Sequence, residues 1–230
     1  MTKASVTIIA AVLLLGSLNV SAQEEVVTKD VLEVSLYGGL AVPTGGISDW
    51  TTGPIPELDR IYERAAQTGW DVGLDIGYYI TPKLTFGLNV QYSQFGIDAP
   101  DSLAGQHSHR LFNPNLYARY SFEGESFFVP YIKAHVGLEN PKFSTLVYDR
   151  NSGDVKFREL SFDPALAYGL AVGLFYYTAD YSGIYLEAGY HAAMTEDSEG
   201  TYQGQTYVFG KNNGVINLNF GVKLIVGSGD

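Results

Sequence analysis

The sequence predicts an all-β fold, an eight-stranded antiparallel up-and-down transmembrane β-barrel with short periplasmic turns and long extracellular loops. Three observations predict it. Eight segments alternate apolar and polar residues with a strict period of two, which is the strand signal. The connections between them alternate short and long. The composition suits strands and turns, with 26 Gly, 17 Tyr and 12 Phe in 230 residues and only 17% charged residues. One domain is enough for this length.

The N-terminal segment has the features of a secretory signal peptide. Lys3 supplies a positive start, an apolar run follows from Val6 to Leu15, and Val20-Ser21-Ala22 forms a small-residue cleavage site. The run is too short for a spanning helix, which needs roughly 20 apolar residues. The expected division is therefore a signal peptide over 1–22 and a barrel domain over 23–230. With no Cys in the chain, disulfides and thiolate chemistry are excluded. The formal net charge of −11 argues against a nucleic-acid partner.

The strands follow in order. The first sets Leu32, Val34, Leu36, Leu40 and Val42 against Glu33, Ser35, Tyr37 and Gly39. The second sets Trp70, Val72, Leu74, Ile76, Tyr78 and Ile80 against Asp71, Gly73, Asp75 and Gly77. After the tight turn Thr81-Pro82-Lys83, the third sets Leu84, Phe86, Leu88, Val90 and Tyr92 against Thr85, Gly87, Asn89, Gln91 and Ser93. The fourth sets Phe112, Leu116, Ala118, Tyr120 and Phe122 against Asn113, Asn115, Tyr117 and Arg119. The fifth sets Phe128, Ile132, Ala134, Val136 and Leu138 against Tyr131, Lys133, His135 and Glu139. The sixth carries Leu166, Tyr168, Leu170, Val172 and Leu174 opposite small residues. The seventh sets Ile184, Leu186, Ala188 and Tyr190 against Tyr185, Glu187, Gly189 and His191. The last sets Ile216, Leu218, Phe220, Val222 and Leu224 against Asn217, Asn219, Gly221 and Lys223. Because charges share a face with Gly and Asn on most strands, the apolar face must point outward to lipid. A soluble, lipocalin-like barrel would need the opposite parity.

Short connections at Thr81–Lys83, Glu123–Ser126 and Asp180–Gly183 and long ones at Thr44–Thr68, Ile97–Gly105, about Lys142–Phe162 and Thr195–Asn213 match the outer-membrane barrel pattern. Aromatic residues collect at both strand ends, as two membrane-interface belts require. Tyr78, Tyr79, Tyr120, Phe122, Phe127, Phe128, Tyr176, Tyr177 and Tyr181 lie beside the short turns. Trp70, Tyr92, Phe95, Phe112, Tyr168 and Tyr190 lie at the loop ends. A short amphipathic helix is expected over 56–67 in the first long loop, and Ser152-Gly153 is expected to join two strand extensions.

With this pattern and its closing strand Ile216–Gly227, the chain resembles the small bacterial outer-membrane barrels of the OmpA and OmpX type. The resemblance covers about 30–227 and implies a location in the outer membrane, contact with its lipid and passage through the barrel-assembly machinery. The closing segment departs from that group's usual terminal aromatic residue and reads Val226-Gly227-Ser228-Gly229-Asp230.

The inward parity holds the candidate functional residues. An eight-stranded barrel is just wide enough to be filled by side chains. Glu33, Asp71, Asp75, Arg119, Lys133, Glu187 and Lys223 all point inward, four acids and three bases that nearly cancel. Isolated buried charges are costly and persist when paired, so a mixed-sign ion-pair plug is expected. Glu33, Glu187, Lys223, Arg119 and Lys133 are expected to share one cluster low in the lumen, with Asp75 in the same network. Three function classes follow: a structural or surface-interaction barrel, a membrane-embedded lipid-modifying enzyme, and a narrow channel or transporter. His107, Ser108 and His109 evoke lipid-modifying barrels, but no orienting carboxylate can be placed for them. His135, His191 and Glu139 lack the tight spacing of a metal site, and Asp149–Asp154 lacks the spacing of a calcium loop. No catalytic residue and no cofactor is called for, and the loop ligand is left open. The first class is the expectation.

Overall fold

The computed structural model describes residues 31–48, 66–97, 108–122, 127–149, 154–179, 181–202, 205–209 and 211–226. The expected signal peptide, the body of the expected loop helix and His107 lie outside them. Eleven strands are formed: β1 (Leu32–Gly45), β2 (Gly69–Thr81), β3 (Leu84–Gly96), β4 (Ser108–Ser121), β5 (Phe128–Asp149), β6 (Asp154–Ser161), β7 (Ala165–Ala179), β8 (Ser182–Ala193), β9 (Glu199–Tyr202), β10 (Gln205–Val208) and β11 (Asn213–Val226). Eight of them, β1, β2, β3, β4, β5, β7, β8 and β11, pair in sequence and close through β1 and β11 into an antiparallel barrel. Closure leaves no sheet edge, the condition for placing strands in lipid.

The period-two pattern sets the faces. Leu36, Leu88, Leu116, Leu170, Leu186 and Leu218 point outward and are more than half exposed. Between them, Glu33, Asp75, Asn89, Arg119, Lys133 and Lys223 are buried in the lumen. No helix of the described residues is long and apolar enough to cross a membrane. The turn after β2 is held by Thr81, whose Oγ1 accepts from the backbone N–H groups of Lys83 (3.3 Å) and Leu84 (3.0 Å).

Large rings fit the narrow lumen because glycines face them. A Cβ on Gly73 would fall 2.2 Å from the Tyr37 ring, so Tyr37 occupies the space a side chain would need.

At the loop end β5 runs past the barrel rim and pairs with β6, from Lys142↔Ser161 to Asp149↔Asp154. The expected strand extensions are therefore a hairpin, whose tip lies outside the described residues. A second hairpin, β9–β10, rises from the last long loop. After β1 the chain turns at Gly45, whose φ of 66° favours glycine, into a single 3-10 turn, Gly46–Ser48. Ile47 from that turn, Ala66, Phe162 and Phe209 then fold inward over the rim. They join Ala41, Phe95, Ile97, Leu111, Phe143, Leu160 and Val215 in one buried apolar cluster.

Three belt assignments are corrected. Phe95 is fully buried in the cap, because its parity follows Ser93 and Gln91 inward. At the other end Tyr79 also points inward and is reached by Arg119. Tyr177 packs beside Val31, Tyr79 and Ile225 instead of facing lipid. Other belt aromatics, among them Tyr78, Tyr120, Phe128 and Tyr176 low and Trp70, Phe112, Tyr168 and Tyr190 high, face outward.

Candidate functional site in the barrel lumen

The buried polar residues form tiers along the barrel axis, each assembled from inward positions on several strands. The lowest tier is centred on Glu33, at the start of β1. Arg119, near the end of β4, donates to both its carboxylate oxygens at 2.6 and 2.5 Å. Lys223 Nζ, near the end of β11, lies 3.2 Å from Glu33 Oε2. Tyr117 donates its hydroxyl to Glu33 at 3.0 Å. Arg119 reaches further, to the Tyr79 hydroxyl and Thr85 Oγ1, both at 3.1 Å. A bidentate Arg–carboxylate pair is the strongest common form of this contact.

The next tier is centred on Lys133 of β5. Its ammonium lies 3.2 Å from Asp75 on β2 and 2.9 Å from Glu187 on β8. Asn89 donates to Asp75 at 2.6 Å and to the Tyr37 hydroxyl at 2.7 Å. Tyr131 donates to Glu187 at 3.0 Å.

The six candidate residues thus fall into two ion-pair groups, not one shared cluster. The reason is a layer of aromatic rings between them. Tyr117 and Tyr131 each send a hydroxyl to one tier while their rings flank the cation of the other. Lys133 sits 5.6 Å from the Tyr117 ring, and Arg119 and Lys223 sit 5.5 and 5.8 Å from Tyr131. Lys223 also lies 4.5 Å over Phe175. Cation–π attraction strengthens when the cation is desolvated, as here.

Above these, Asp71 is held by amides alone. Gln91 donates to it at 2.7 Å and Asn217 at 2.5 Å. With its amide turned toward the carboxylate, Asn219 donates at 2.8 Å. Among the described residues, no Lys or Arg pairs with it.

The highest polar tier combines Glu139 and His135 of β5, His191 of β8 and Asn213 of β11. His135 Nε2 lies 3.0 Å from His191 Nδ1, with the two rings stacked at 5.3 Å and 18°. His191 Nε2 lies 3.1 Å from Glu139 Oε2, and Asn213 donates to Glu139 Oε1 at 2.7 Å. Glu139 is fully buried, which makes it a fifth lumen carboxylate. The balance of inward charge is therefore five acids to three bases, not four to three. A cavity of about 20 Å³ between this tier and the Lys133 tier is lined by His135, Lys133, Glu187, Tyr37, Asn217 and other amides. It has room for about one water.

No group of three His, Cys, Asp or Glu among the described residues has the geometry to hold a metal. His107 lies outside the described residues, and His109 lies in the apolar cap. Its ring is buried against Phe143, 4.9 Å between centroids. Strand alternation sends the neighbouring Ser108 to the opposite side.

The fold is shared with small outer-membrane barrels. The outer-membrane protein AlkL, solved by solid-state NMR in DMPC bilayers, is 13% identical, with 93% of this chain and 98% of AlkL covered at a TM-score of 0.51. Neisserial surface protein A is 18% identical over 84% of this chain and 96% of its own, with a TM-score of 0.48. The outer-membrane protein OprG from Pseudomonas aeruginosa is 14% identical over 87% and 99%, also at 0.48. At these identities the likeness is one of fold. No protein-family model matches the chain, and no curated protein matches it.

Proposed function

We propose that the chain is an exported outer-membrane barrel with a structural or surface-interaction role, in which the strands sit in outer-membrane lipid and the long loops face outward as the contact surface. One observation carries this. The lumen is blocked twice, by the ion-pair tiers around Glu33 and Lys133 and by the apolar cluster around Phe95 and Phe143. A barrel filled in this way gives solutes no continuous aqueous path among the described residues. What remains for function is the outer surface and the loop face. Insertion through the barrel-assembly machinery and cleavage after Ala22 complete the proposed route.

Two measurements test the proposal. Cell fractionation is expected to recover the protein in the outer membrane, beginning at Gln23, with a mobility in SDS that shifts on boiling. Reconstituted in planar bilayers, it is expected to give no steady conductance steps. Recovery from the soluble periplasm without detergent overturns the location, and steady ion conductance replaces the structural role with a channel.

A further inference from the structure

Buried charge in the lumen does not balance. Among the described residues, Glu33, Asp71, Asp75, Glu139 and Glu187 are opposed by Arg119, Lys133 and Lys223 alone. The two lower tiers consume all three cations, which leaves Asp71 and Glu139 without one. Asp71 is surrounded by amide donors. Glu139 instead ends a chain of two imidazoles, and imidazoles can move protons as well as donate them.

The hydrogen-bond directions in that chain follow from its end. Glu139 as a carboxylate can only accept, so His191 Nε2 carries the proton toward it. With both rings neutral, His191 Nδ1 is then an acceptor and His135 Nε2 its donor. Both rings are satisfied in their neutral forms, and every N–H points toward Glu139. The one nitrogen left to take a proton is His135 Nδ1, on the residue that lines the central cavity.

We propose that Glu139, His191 and His135 form a proton-uptake site, which accepts one proton from water at His135 and stores it on Glu139. The transfer balances in three concerted moves. An N–H bond forms at His135 Nδ1 as a hydronium gives up its proton. The His135 Nε2–H proton passes to His191 Nδ1, and the His191 Nε2–H proton passes to Glu139 Oε2. Both imidazoles end neutral in the opposite tautomer, and the buried carboxylate becomes a neutral acid. The distances of 3.0 and 3.1 Å are hydrogen-bond lengths, short enough for each hop. The other titratable groups facing the relay are Lys133 on its own strand, Glu187 on β8, Asp71 and Asp75 on β2, Tyr37 on β1 and Tyr117 on β4. Lys133 lies between Asp75 and Glu187, and Asp71 is held by amides off the imidazole chain, so the proton's destination is Glu139, the cation-free carboxylate on which the chain ends.

The full barrel, ¹⁵N-labelled at histidine and refolded in lipid, tests this. Ring-nitrogen NMR between pH 9 and pH 4 is expected to show His135 and His191 exchanging tautomers together, with neither becoming a stable imidazolium. Infrared absorption is expected to gain one carboxylic-acid C=O band over the same pH range. In Glu139→Gln, which keeps the size and removes the proton acceptor, both the tautomer exchange and the new band are expected to vanish. The wild-type measurements decide the matter even if that variant folds poorly. Fixed tautomers across the range, separate protonation of the two rings, or an unchanged exchange in Glu139→Gln each overturn the proposal.

Discussion

The two ends of the barrel solve opposite problems with the same alternation. Along the lower part of β5, Ile132 faces out and is exposed while Lys133 faces in and is buried. Ten residues later on the same strand, Lys142 faces out while Phe143 is buried inside. The parity never slips, but the chemistry on each side is exchanged. β6 repeats the upper version, with Glu159 outward beside Lys142 and Arg110, and Leu160 in the apolar cap. The solvent outside dictates this. Where lipid surrounds the barrel, the outer face is apolar and the lumen can hold polar groups. Where water surrounds it, the rule of soluble proteins returns, with charges outside and a hydrophobic core within. The changeover on β5 falls between Leu138 and Lys142, and the outward rings of Trp70, Tyr168 and Tyr190 mark the aromatic belt of this end. The upper barrel is thus a small soluble domain built on the same strands as the membrane anchor.

Substitutions can sharpen or break that comparison. The largest effects are expected where each half keeps its interior. Arg119→Met in the lower half removes the bidentate donor of Glu33, leaves it with Lys223 and Tyr117, and is expected to cost about 3–5 kcal/mol. Phe95→Ala in the cap is expected to cost a similar ~3–5 kcal/mol, from lost burial and a cavity. Both are measurable by reversible urea unfolding in lipid vesicles. If Phe95→Ala proved harmless, the cap would not be a core.

Next come the outer faces. Leu170→Arg, in the lipid-facing band, is expected to cost roughly 2–4 kcal/mol. Lys142→Leu, above the changeover, is expected to stay within about 0.5 kcal/mol, as most surface changes do. Equal costs at the two positions would place the membrane boundary elsewhere.

The last expected quantity is a coupling. In a double-mutant cycle of Glu33→Gln and Lys223→Met, contacting residues are expected to show an interaction of about 0.5–3 kcal/mol. Strict additivity would show that the closing strands do not share this ion pair in solution.

Much of this architecture was legible in the sequence. The eight barrel strands and their outward faces follow from the period-two pattern, as Leu84 to Ser93 illustrates, and the short turns from Thr81-Pro82-Lys83. The exchange of chemistry was not legible, because alternation looks the same when both faces swap. Phe95 therefore read as a belt residue although its own parity placed it with Ser93. Leu111 and Ile225 are apolar residues on the inward parity, and they lie at the two ends, one in the cap and one beside Val31 and Tyr79. Which charges meet was also beyond the pattern. Asp75 and Lys133 belong to β2 and β5, which are not neighbours, and their contact at 3.2 Å crosses the lumen. Parity says that a side chain enters the lumen, but strand stagger and the rings of Tyr117 and Tyr131 decide whom it reaches. The Glu139–His191–His135 chain had a faint signal, three inward titratable residues on two strands, which lacked any clue that β7, the strand between them, presents Gly169 and leaves the rings room to touch.

The position of Glu33 has a consequence for closure. Its partners come from the fourth strand and from the last one, so its full set of contacts exists only with β11 paired to β1. An open sheet of the same strands keeps Arg119 and Tyr117 within reach of the carboxylate but holds Lys223 away from it. Pairing β11 with β1 therefore joins two edges and brings Lys223 to Glu33 in the same contact. Open forms lack that ion pair, which favours the finished ring.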